Sequence, residues 1–387
     1  MIRWEAGRVA APVDAWPGVV RVRVDLEGGG SLRALAYTGL VGEPVPGERV
    51  LLNTNAVRRD LGTGGDALVV ARPDAVPDAP GPGEGPEAPD SPTAPDAPAA
   101  HMMKARYTPQ QVMVDAIDDP ASEHYATMQK AHDLAGMPVV AADLHSSLPA
   151  IVAGIRATAP TARIVYVLTD GAALPAVYSR AIATLRERGL LAACISAGQA
   201  FGGDLEAVSV PSALLGARHV VGADVAIAIQ GPGNLGSGTP WGFSGVQAAD
   251  ALNAAGALGG VPIAALRVSD ADARERHRGL SHHSATTYGR LLHVPAVLPV
   301  PRHAANDSNI HAYVREQLES SVLTPAAARG LAHSVREVDA DGLAEALAAS
   351  PVRLSTMGRG LAEDPSAFEY AALAGRAAAE LAGTPQG

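Results

Sequence analysis

The sequence predicts an α/β protein: a parallel, doubly wound (Rossmann-like) three-layer sandwich preceded by a small all-β module. Three observations predict it. Hydrophobic residues make up 47% of the 387 residues and aromatic residues only 4%, so aliphatic side chains must fill the core. After residue 100, continuous apolar runs alternate with segments of helical pattern. Before residue 73, apolar residues instead alternate singly with polar ones, as in strands with one solvated face.

Residues 1–72 are predicted to form a small β-barrel-like domain. Val20, Val22 and Val24 alternate with charged residues, and three consecutive glycines at 28–30 end the run, which is typical of a hairpin. Further short apolar runs at residues 32–37, 49–52 and 67–71 are separated by glycine and proline. This spacing favours a barrel or sandwich of short strands.

Residues 73–100 are predicted to be a disordered linker. They consist almost wholly of Pro, Ala, Asp, Glu, Gly, Ser and Thr, with isolated valine as the only larger aliphatic residue. Such a segment cannot bury enough apolar area to offset the entropy lost on ordering. A flexible chain with polyproline II bias is therefore expected.

Residues 101–387 are predicted to form the α/β domain. Continuous apolar strands separated by helices indicate parallel pairing in right-handed βαβ units. The predicted strands are residues 137–142, 163–168, 190–195, 225–229 and 261–268, with a weaker one at 294–300. The predicted helices are residues 147–158, 172–188, 211–220 and 244–258, followed by three that cover the sheet at 309–319, 341–349 and 365–381.

Charge and cysteine content exclude several classes of protein. The net charge is −10, the isoelectric point about 5.6, and Lys104 and Lys130 are the only lysines, so no basic face for nucleic acid is expected. The single cysteine, Cys194, cannot form an internal disulfide or a cysteine-based zinc site, and it is interpreted as packing in a strand. No signal-peptide pattern and no membrane-length apolar run occur, which predicts a cytoplasmic protein without a membrane partner. A homo-oligomer, or a protein partner bound by the β-module, stays open.

Polar residues follow each predicted strand, where ligands bind in open parallel sheets. Side chains at these positions would converge on one crevice, as acid/base or metal chemistry requires. The alternative is that loops are simply polar, and a strand-end aspartate can serve only as a helix N-cap. The candidate catalytic residues are Asp143, His145, Asp170, Asp204, Glu206, His282 and His283.

The glycine-rich segment 231–245 is the most informative loop. Its glycines permit positive φ and close backbone approach, and a predicted helix follows whose free N–H groups favour an anion. It matches neither the dinucleotide fingerprint nor the Walker pattern, so NAD-dependent chemistry is not expected. Alternatively, the glycines serve an excursion that packs Trp241 and Phe243. The candidate binding residues are Gln230, Gly231, Gly233, Gly236, Ser237, Gly238, Thr239 and Ser244, with Lys104 and Arg106 as further anion contacts unless they form a solvated strand edge.

The histidines leave a divalent metal as an open alternative. His277, His282 and His283, with Asp143 and His145, could supply nitrogen and oxygen ligands to zinc or a similar ion. Adjacent histidines on a helix point about 100° apart, so only one would face a shared metal unless the backbone is irregular. Without a metal, a histidine here would be a general base or a hydrogen-bond donor to a phosphate group. A serine nucleophile elbow is absent from the sequence.

Several blocks of the chain resemble one protein family. They are residues 101–110, 168–175 (Leu-Thr-Asp-Gly-Ala-Ala-Leu-Pro), 198–208, 230–245 and 276–284, together with residues 53–54 and 61–65 of the β-module. They look like the signature blocks of an uncharacterised actinobacterial family known only as a domain of unknown function. The resemblance implies the domain layout and no activity.

Two functions are consistent with these patterns. The first is an enzyme, a hydrolase or group transferase, that acts on a small anionic substrate, including phosphorylated ones, at the strand ends. The second is a non-catalytic metabolite sensor or scaffold, in which the linker lets the β-module contact a partner while the α/β domain binds a metabolite.

Overall fold

The computed structural model describes residues 2–61, 64–75, 102–302 and 309–383. The chain divides into two compact units, residues 1–100 and residues 101–387. Of the predicted linker, the structure describes only a 3₁₀ turn at Pro73–Ala75, and the remainder lies outside the described residues.

The first unit is a closed five-stranded barrel, as the alternating pattern predicts. Its strands run in the order β1-β2-β3-β5-β4, with antiparallel neighbours except for the parallel pair β3 and β5. A short helix, α1 (Thr38–Val41), follows β3. The strands are β1 (Trp4–Trp16), β2 (Val19–Leu26), β3 (Ser31–Tyr37), β4 (Arg49–Asn53) and β5 (Ala67–Ala71).

The alternation along β2 separates the barrel's interior from its surface. Val22 and Val24 are fully buried in the barrel core, whereas Arg23 and Asp25 between and beyond them are exposed. Several of the barrel's charged residues form ion pairs with one another. The buried carboxylate of Asp66, for example, lies 3.2 Å from Arg21 and 3.0 Å from Arg33.

The second unit contains one eight-stranded sheet in which all neighbouring strands are parallel, so the predicted α/β fold is confirmed. Its order is β11-β10-β9-β12-β8-β13-β16-β17. These strands are β8 (Pro138–Ala141), β9 (Ile164–Thr169), β10 (Ala193–Ala197), β11 (Leu205–Ala207), β12 (Val225–Gln230), β13 (Val261–Ala264), β16 (Val297–Pro301) and β17 (Ser334–Val338). Three two-stranded pairs accompany it: β6 (Met102–Lys104) with β7 (Val112–Val114), β14 (Val268–Ser269) with β15 (Gly279–Leu280), and β18 (Ser355–Thr356) with β19 (Arg359–Gly360).

Helices cover both faces of the sheet, which makes the domain doubly wound. The helices are α2 (Tyr125–Met128), α3 (Leu148–Thr158), α4 (Arg180–Glu187), α5 (Val210–Gly216), α6 (Gln247–Ala257), α7 (His282–Thr286), α8 (Asn309–Leu318), α9 (Thr324–Ala327), α10 (Leu343–Ala348) and α11 (Pro365–Ala382). Helices α3 and α11 pack together on one face, and α5 and α6 pack together on the other. Glycine brings the first pair close: a Cβ on Gly154 would lie 2.0 Å from the carbonyl oxygen of Ala372, so only glycine fits.

Several elements differ from the sequence prediction. The helix predicted at 172–188 begins only at α4, because Pro175 disfavours helix before it and Ser179 caps α4 by accepting a hydrogen bond from the Ile182 amide. The sequence pattern missed β11, which is three residues long, and β17, a mostly exposed strand at the sheet's edge. None of the helices in the described part of the chain has the length and apolar character needed to span a bilayer.

Candidate functional site at the carboxyl edge of the sheet

The centre of the carboxyl edge is a topological switch point. Strands β8 and β13 are neighbours, but the chain proceeds from β8 towards β9 on one side and from β13 towards β16 on the other. A crevice opens at such a point because the two connections diverge. Asp143 follows β8, Gln230 ends β12, and Arg267 follows β13, and the Gln230 side-chain amide donates to the Asp143 backbone carbonyl at 2.9 Å.

Asp143 joins His283 to Arg267 at this crevice. Its carboxylate Oδ2 lies 2.8 Å from Nδ1 of His283 and 3.1 Å from Nη1 of Arg267, and Asp143 and His283 are both buried. Burial raises the pKa of Asp143, but the positive charge of Arg267 and the hydrogen bond from His283 outweigh it and hold this pKa below its usual range. Asp143 is therefore an ionised acceptor.

This ionisation fixes the tautomer of His283. A carboxylate can only accept, so Nδ1 of His283 carries the proton and donates it to Asp143. The 3.0 Å approach of Arg267 Nη1 to the same nitrogen is then a close contact and not a second hydrogen bond. The Nε2 atom of His283 is left with a free lone pair, which can accept a proton or bind a metal.

His277 and His282 lie beside His283, and we call these three residues the histidine centre. Each ring offers one nitrogen that lies within 4.8 Å of the other two, and the ring centroids are 4.5 to 5.0 Å apart. The Nδ1 atom of His277 lies 2.8 Å from the hydroxyl of Ser281. Nε2 of His282 is buried and has no hydrogen-bond partner in the described part of the chain. These three rings could hold a metal ion.

Local structure explains how adjacent histidines come to share one space. Ser281 is the N-cap of α7, and its hydroxyl accepts a hydrogen bond from the His283 amide. His282 and His283 are thus the first two residues of a five-residue helix, while His277 ends a 3₁₀ turn before β15. Adjacent residues of a regular helix point about 100° apart. The rings of His282 and His283 nevertheless lie 4.5 Å apart, and the ring of His277, which precedes the helix, lies within 5.0 Å of both.

The rings of His277 and His282 are neutral at neutral pH. Burial is the main cause, and the charges of nearby arginines add to it. Together they lower the pKa of His277 to about 3 and that of His282 to about 4. A neutral imidazole is the form that binds metals, and a ring with so low a pKa is a weak proton acceptor.

The glycine-rich loop packs against the histidine centre. Phe243 stacks on His283 with ring centroids 3.7 Å apart and planes 2° from parallel, and Thr286 of α7 donates to the Pro240 carbonyl. Ser244 donates to Asn234 Oδ1, which closes the base of the loop. The packing of Phe243 agrees with the interpretation of this loop as an excursion that packs aromatic side chains. Trp241, in contrast, is 54% exposed.

The predicted binding residues of this loop occupy distinct positions. Gly231 lies against the Ala173 carbonyl, with 2.3 Å between that oxygen and a Cβ built on the glycine, and Gly233 has a φ of 99° that favours glycine. Gly236 forms a bridge with Phe243, and the hydroxyls of Ser237 and Thr239 hydrogen-bond each other at 2.9 Å. Anion binding by these residues stays a prediction.

An exposed arginine lies at the rim of the loop. One Nη atom of Arg276 lies 3.6 Å from the position that a Cβ would take on Gly238, and the charge of Arg276 contributes to the low pKa of His282. Among the described residues, no carboxylate forms an ion pair with Arg276. The other two arginines that act on the centre are neutralised, Arg267 by Asp143 and Arg274 by Asp272.

The described contacts bring four other predicted residues, Lys104, Arg106, Asp204 and Glu206, to neither Asp143 nor the histidine centre. Lys104, only 2% exposed, donates to Glu206 at 2.8 Å and to two backbone carbonyls, so its ammonium faces the protein and not an anion in the crevice. Asp204 forms a bidentate pair with Arg186 and accepts from the Cys194 amide at 2.7 Å. Arg106 is exposed, and its backbone amide donates to Gln199.

Asp170 and His145 are likewise engaged in internal hydrogen bonds. Asp170 accepts from the Gln199 amide at 2.9 Å, which fixes the loop after β10. Both ring nitrogens of His145 are occupied, Nδ1 by the Tyr166 hydroxyl at 3.2 Å and Nε2 by the Ser179 hydroxyl at 2.7 Å. The described contacts bring neither residue to Asp143 or the histidine centre.

The sequence analysis missed three residues of the site: Arg267, Arg276 and Ser281. Arg267 fell inside a run interpreted as strand to residue 268, but β13 ends at Ala264. Ser281 was detectable, because a serine directly before a helical segment is an N-cap signal. Arg276 carried no local signal that separated it from the neighbouring arginines.

Fold and site together define a class: a parallel α/β protein with a histidine–aspartate–arginine centre at the switch point of its sheet. A family model described as a protein of unknown function (DUF3866) matches residues 33–375, so the chain belongs to that family. No curated protein and no solved structure matches the chain. The match confirms the predicted membership of a family without known activity, and the actinobacterial lineage stays a prediction.

Proposed function

We propose that this protein is an enzyme that hydrolyses a small anionic substrate, such as a phosphate ester, at the histidine centre. The observation that supports it most is that Asp143, which follows β8, meets the histidine centre, which follows β13 and lies beside Arg276. Hydrolysis needs a group that activates water and a group that stabilises negative charge. The histidine centre provides the first, and Arg276 provides the second.

The distribution of charge favours an anionic substrate. Arg267 and Arg274 each have a carboxylate partner, but Arg276 has none in the described part of the chain. Its positive charge at the rim of a buried centre is therefore available to a ligand. A guanidinium binds carboxylate or phosphate oxygens through two parallel hydrogen bonds, which also orients the substrate. Transfer of the same group to an acceptor other than water would use the same residues.

The test compares a charged and a neutral substrate. We expect full-length protein supplied with divalent metal salts to hydrolyse 4-nitrophenyl phosphate faster than 4-nitrophenyl acetate. Arg276→Gln should raise KM for the phosphate ester about 10- to 100-fold, because a hydrogen bond to a charged group contributes about 1.5–3 kcal/mol. It should leave the neutral ester unaffected. Trapping of the product with an added alcohol separates transfer from hydrolysis.

Arg278→Gln is the matched control, since Arg278 is also exposed and lies two residues further along the chain. An equal effect of both substitutions would contradict a specific role for Arg276. If inorganic phosphate raised the melting temperature but no ester in a broad panel were turned over, the enzyme proposal would fail, and the sensor alternative would replace it.

A further inference from the structure

We propose that His277, His282 and His283 bind one divalent transition-metal ion of the zinc class through a single nitrogen of each ring. This deepens the proposed function by naming the cofactor of the same site, but it is tested by metal binding and not by turnover. Three imidazoles suit zinc, cobalt or nickel, whereas magnesium and calcium prefer oxygen ligands.

The spacing of the three nitrogens is close to that of a metal site. They lie within 4.8 Å of one another. Zinc–nitrogen bonds of about 2.0–2.1 Å in tetrahedral geometry place the nitrogens ~3.3 Å apart. Each nitrogen therefore has to move by about 1 Å or less towards a common centre, which small rotations of the side chains allow.

The groups behind the rings are those that orient histidine ligands. Metal-bound histidines almost always donate their other ring N–H to a carboxylate, a carbonyl or another oxygen. Here Nδ1 of His283 lies 2.8 Å from the Asp143 carboxylate, and Nδ1 of His277 lies 2.8 Å from the Ser281 hydroxyl. Both contacts leave Nε2 as the atom that faces the ion. Phe243, stacked on His283, restricts the rotation of that ring.

His282 supplies an independent observation. Its Nε2 is buried, and the described residues offer it no hydrogen-bond partner. A buried polar atom without a partner costs about 1–3 kcal/mol, so it needs an explanation. A bound cation would explain it. The centroid of the His282 ring lies 4.5 Å from that of His283 and 4.9 Å from that of His277, so one ion could contact all three rings. Ordinary core packing of three histidines does not explain it.

The number of ligands decides the type of site. Structural zinc sites use four protein ligands, and catalytic ones use three and keep a position for water. The described cluster contains three metal-binding side chains, with Asp143 occupied by His283 and Arg267. A metal-bound water has a pKa near 7 in such sites, so a bound ion would supply the water activation that hydrolysis needs.

The decisive experiment measures metal binding by the full chain without substrate. Protein stripped with a chelator is titrated with ZnCl2 by calorimetry and with CoCl2 by visible absorption, and bound metal is counted by elemental analysis. We expect one ion per chain and the absorption bands of four-coordinate Co²⁺. His282→Gln should weaken binding at least 100-fold, while His293→Gln, at an exposed histidine, should bind as the wild type does.

A second variant guards against loss of folding. Asp143→Asn keeps all three ligands and should weaken zinc binding by 10- to 100-fold, since orienting groups have effects of this size. Far-UV circular dichroism and the thermal transition of each apo variant verify the fold. Absence of stoichiometric Zn²⁺ or Co²⁺ binding by folded wild-type protein, or unchanged binding in folded His282→Gln, would overturn the proposal. Metal binding without any hydrolysis would leave it standing and remove only the proposed activity.

Discussion

The two sides of the sheet's carboxyl edge carry similar polar residues and use them differently. Beyond β9 and β10, each of Asp170, Asp204 and Glu206 has a backbone amide or a cation of the protein as its partner. Beyond β8 and β13, Asp143 instead holds His283, whose Nε2 has no hydrogen-bond partner among the residues that the structure describes. A strand-end carboxylate thus becomes part of a site when its partner residue can itself bind a metal ion or accept a proton. The same residue type on the other side holds loops together.

The largest effect on stability is expected at the buried pair of Lys104 and Glu206. Lys104→Met leaves the Glu206 carboxylate buried without its cation, and loss of one partner of a buried pair costs about 3–5 kcal/mol. The double variant Lys104→Met, Glu206→Leu should recover most of that loss. Urea denaturation of the three proteins measures both effects. Equal stability of wild type and Lys104→Met would show that this side of the edge does not depend on the pair.

A pH-dependent loss of stability is expected from His145. Burial lowers the pKa of His145 to about 4 in the folded chain, while an unfolded histidine titrates near 6.5. The folded state is therefore favoured above pH 6.5, and this contribution is lost as the pH falls from about 6.5 to 4. A shift of this size corresponds to roughly 3 kcal/mol.

The measurement is the free energy of unfolding of metal-free protein at several pH values. His145→Gln should have a shallower decline between pH 6.5 and 4 than the wild type, by up to one proton in the slope. His219→Gln is the control, because His219 is exposed. The stability of this variant should decline with falling pH as steeply as that of the wild type. Parallel curves for His145→Gln and the wild type would contradict the burial argument.

Asp143→Asn should lower kcat/KM about 100-fold, as removal of a group that orients a catalytic histidine does. The amide can present its N–H to Nδ1 of His283, which favours the tautomer with the proton on Nε2 and removes the free lone pair. Steady-state kinetics on the substrate of the wild-type enzyme measure the loss. Activity within a factor of three of wild type would remove Asp143 from the site.

The sequence predicted the fold well because the spacing of apolar residues is visible within each short segment of the chain. Continuous apolar runs located six of the eight strands of the sheet, and the barrel's alternation held along β2. The exceptions, β11 and β17, are short or exposed, so their residues carry no apolar pattern. Strand-end position also singled out Asp143, His282 and His283, which lie together in the structure.

Sequence could not sort the strand-end residues by role, because their partners are distant in the chain. Lys104 and Glu206 are 102 positions apart, and Asp143 and His283 are 140 apart. No spacing rule connects such pairs, and only the folded sheet brings them into contact. The histidine centre was hard to predict for a different reason: its geometry depends on Ser281 starting a helix at His282.

The smallest effect is expected when the Asp143 substitution is repeated on the other side of the edge. Asp170→Asn retains an oxygen that can accept from the Gln199 amide, and no cation pairs with Asp170 among the described residues. Stability should fall by about 1 kcal/mol or less, because one hydrogen bond is weakened and not lost. Zinc affinity and kcat/KM should stay within a factor of three. Since both variants exchange a carboxylate for an amide directly beyond a sheet strand, any difference between them measures what the partner residue contributes. A loss of activity in Asp170→Asn equal to that in Asp143→Asn would mean that the two sides form one site.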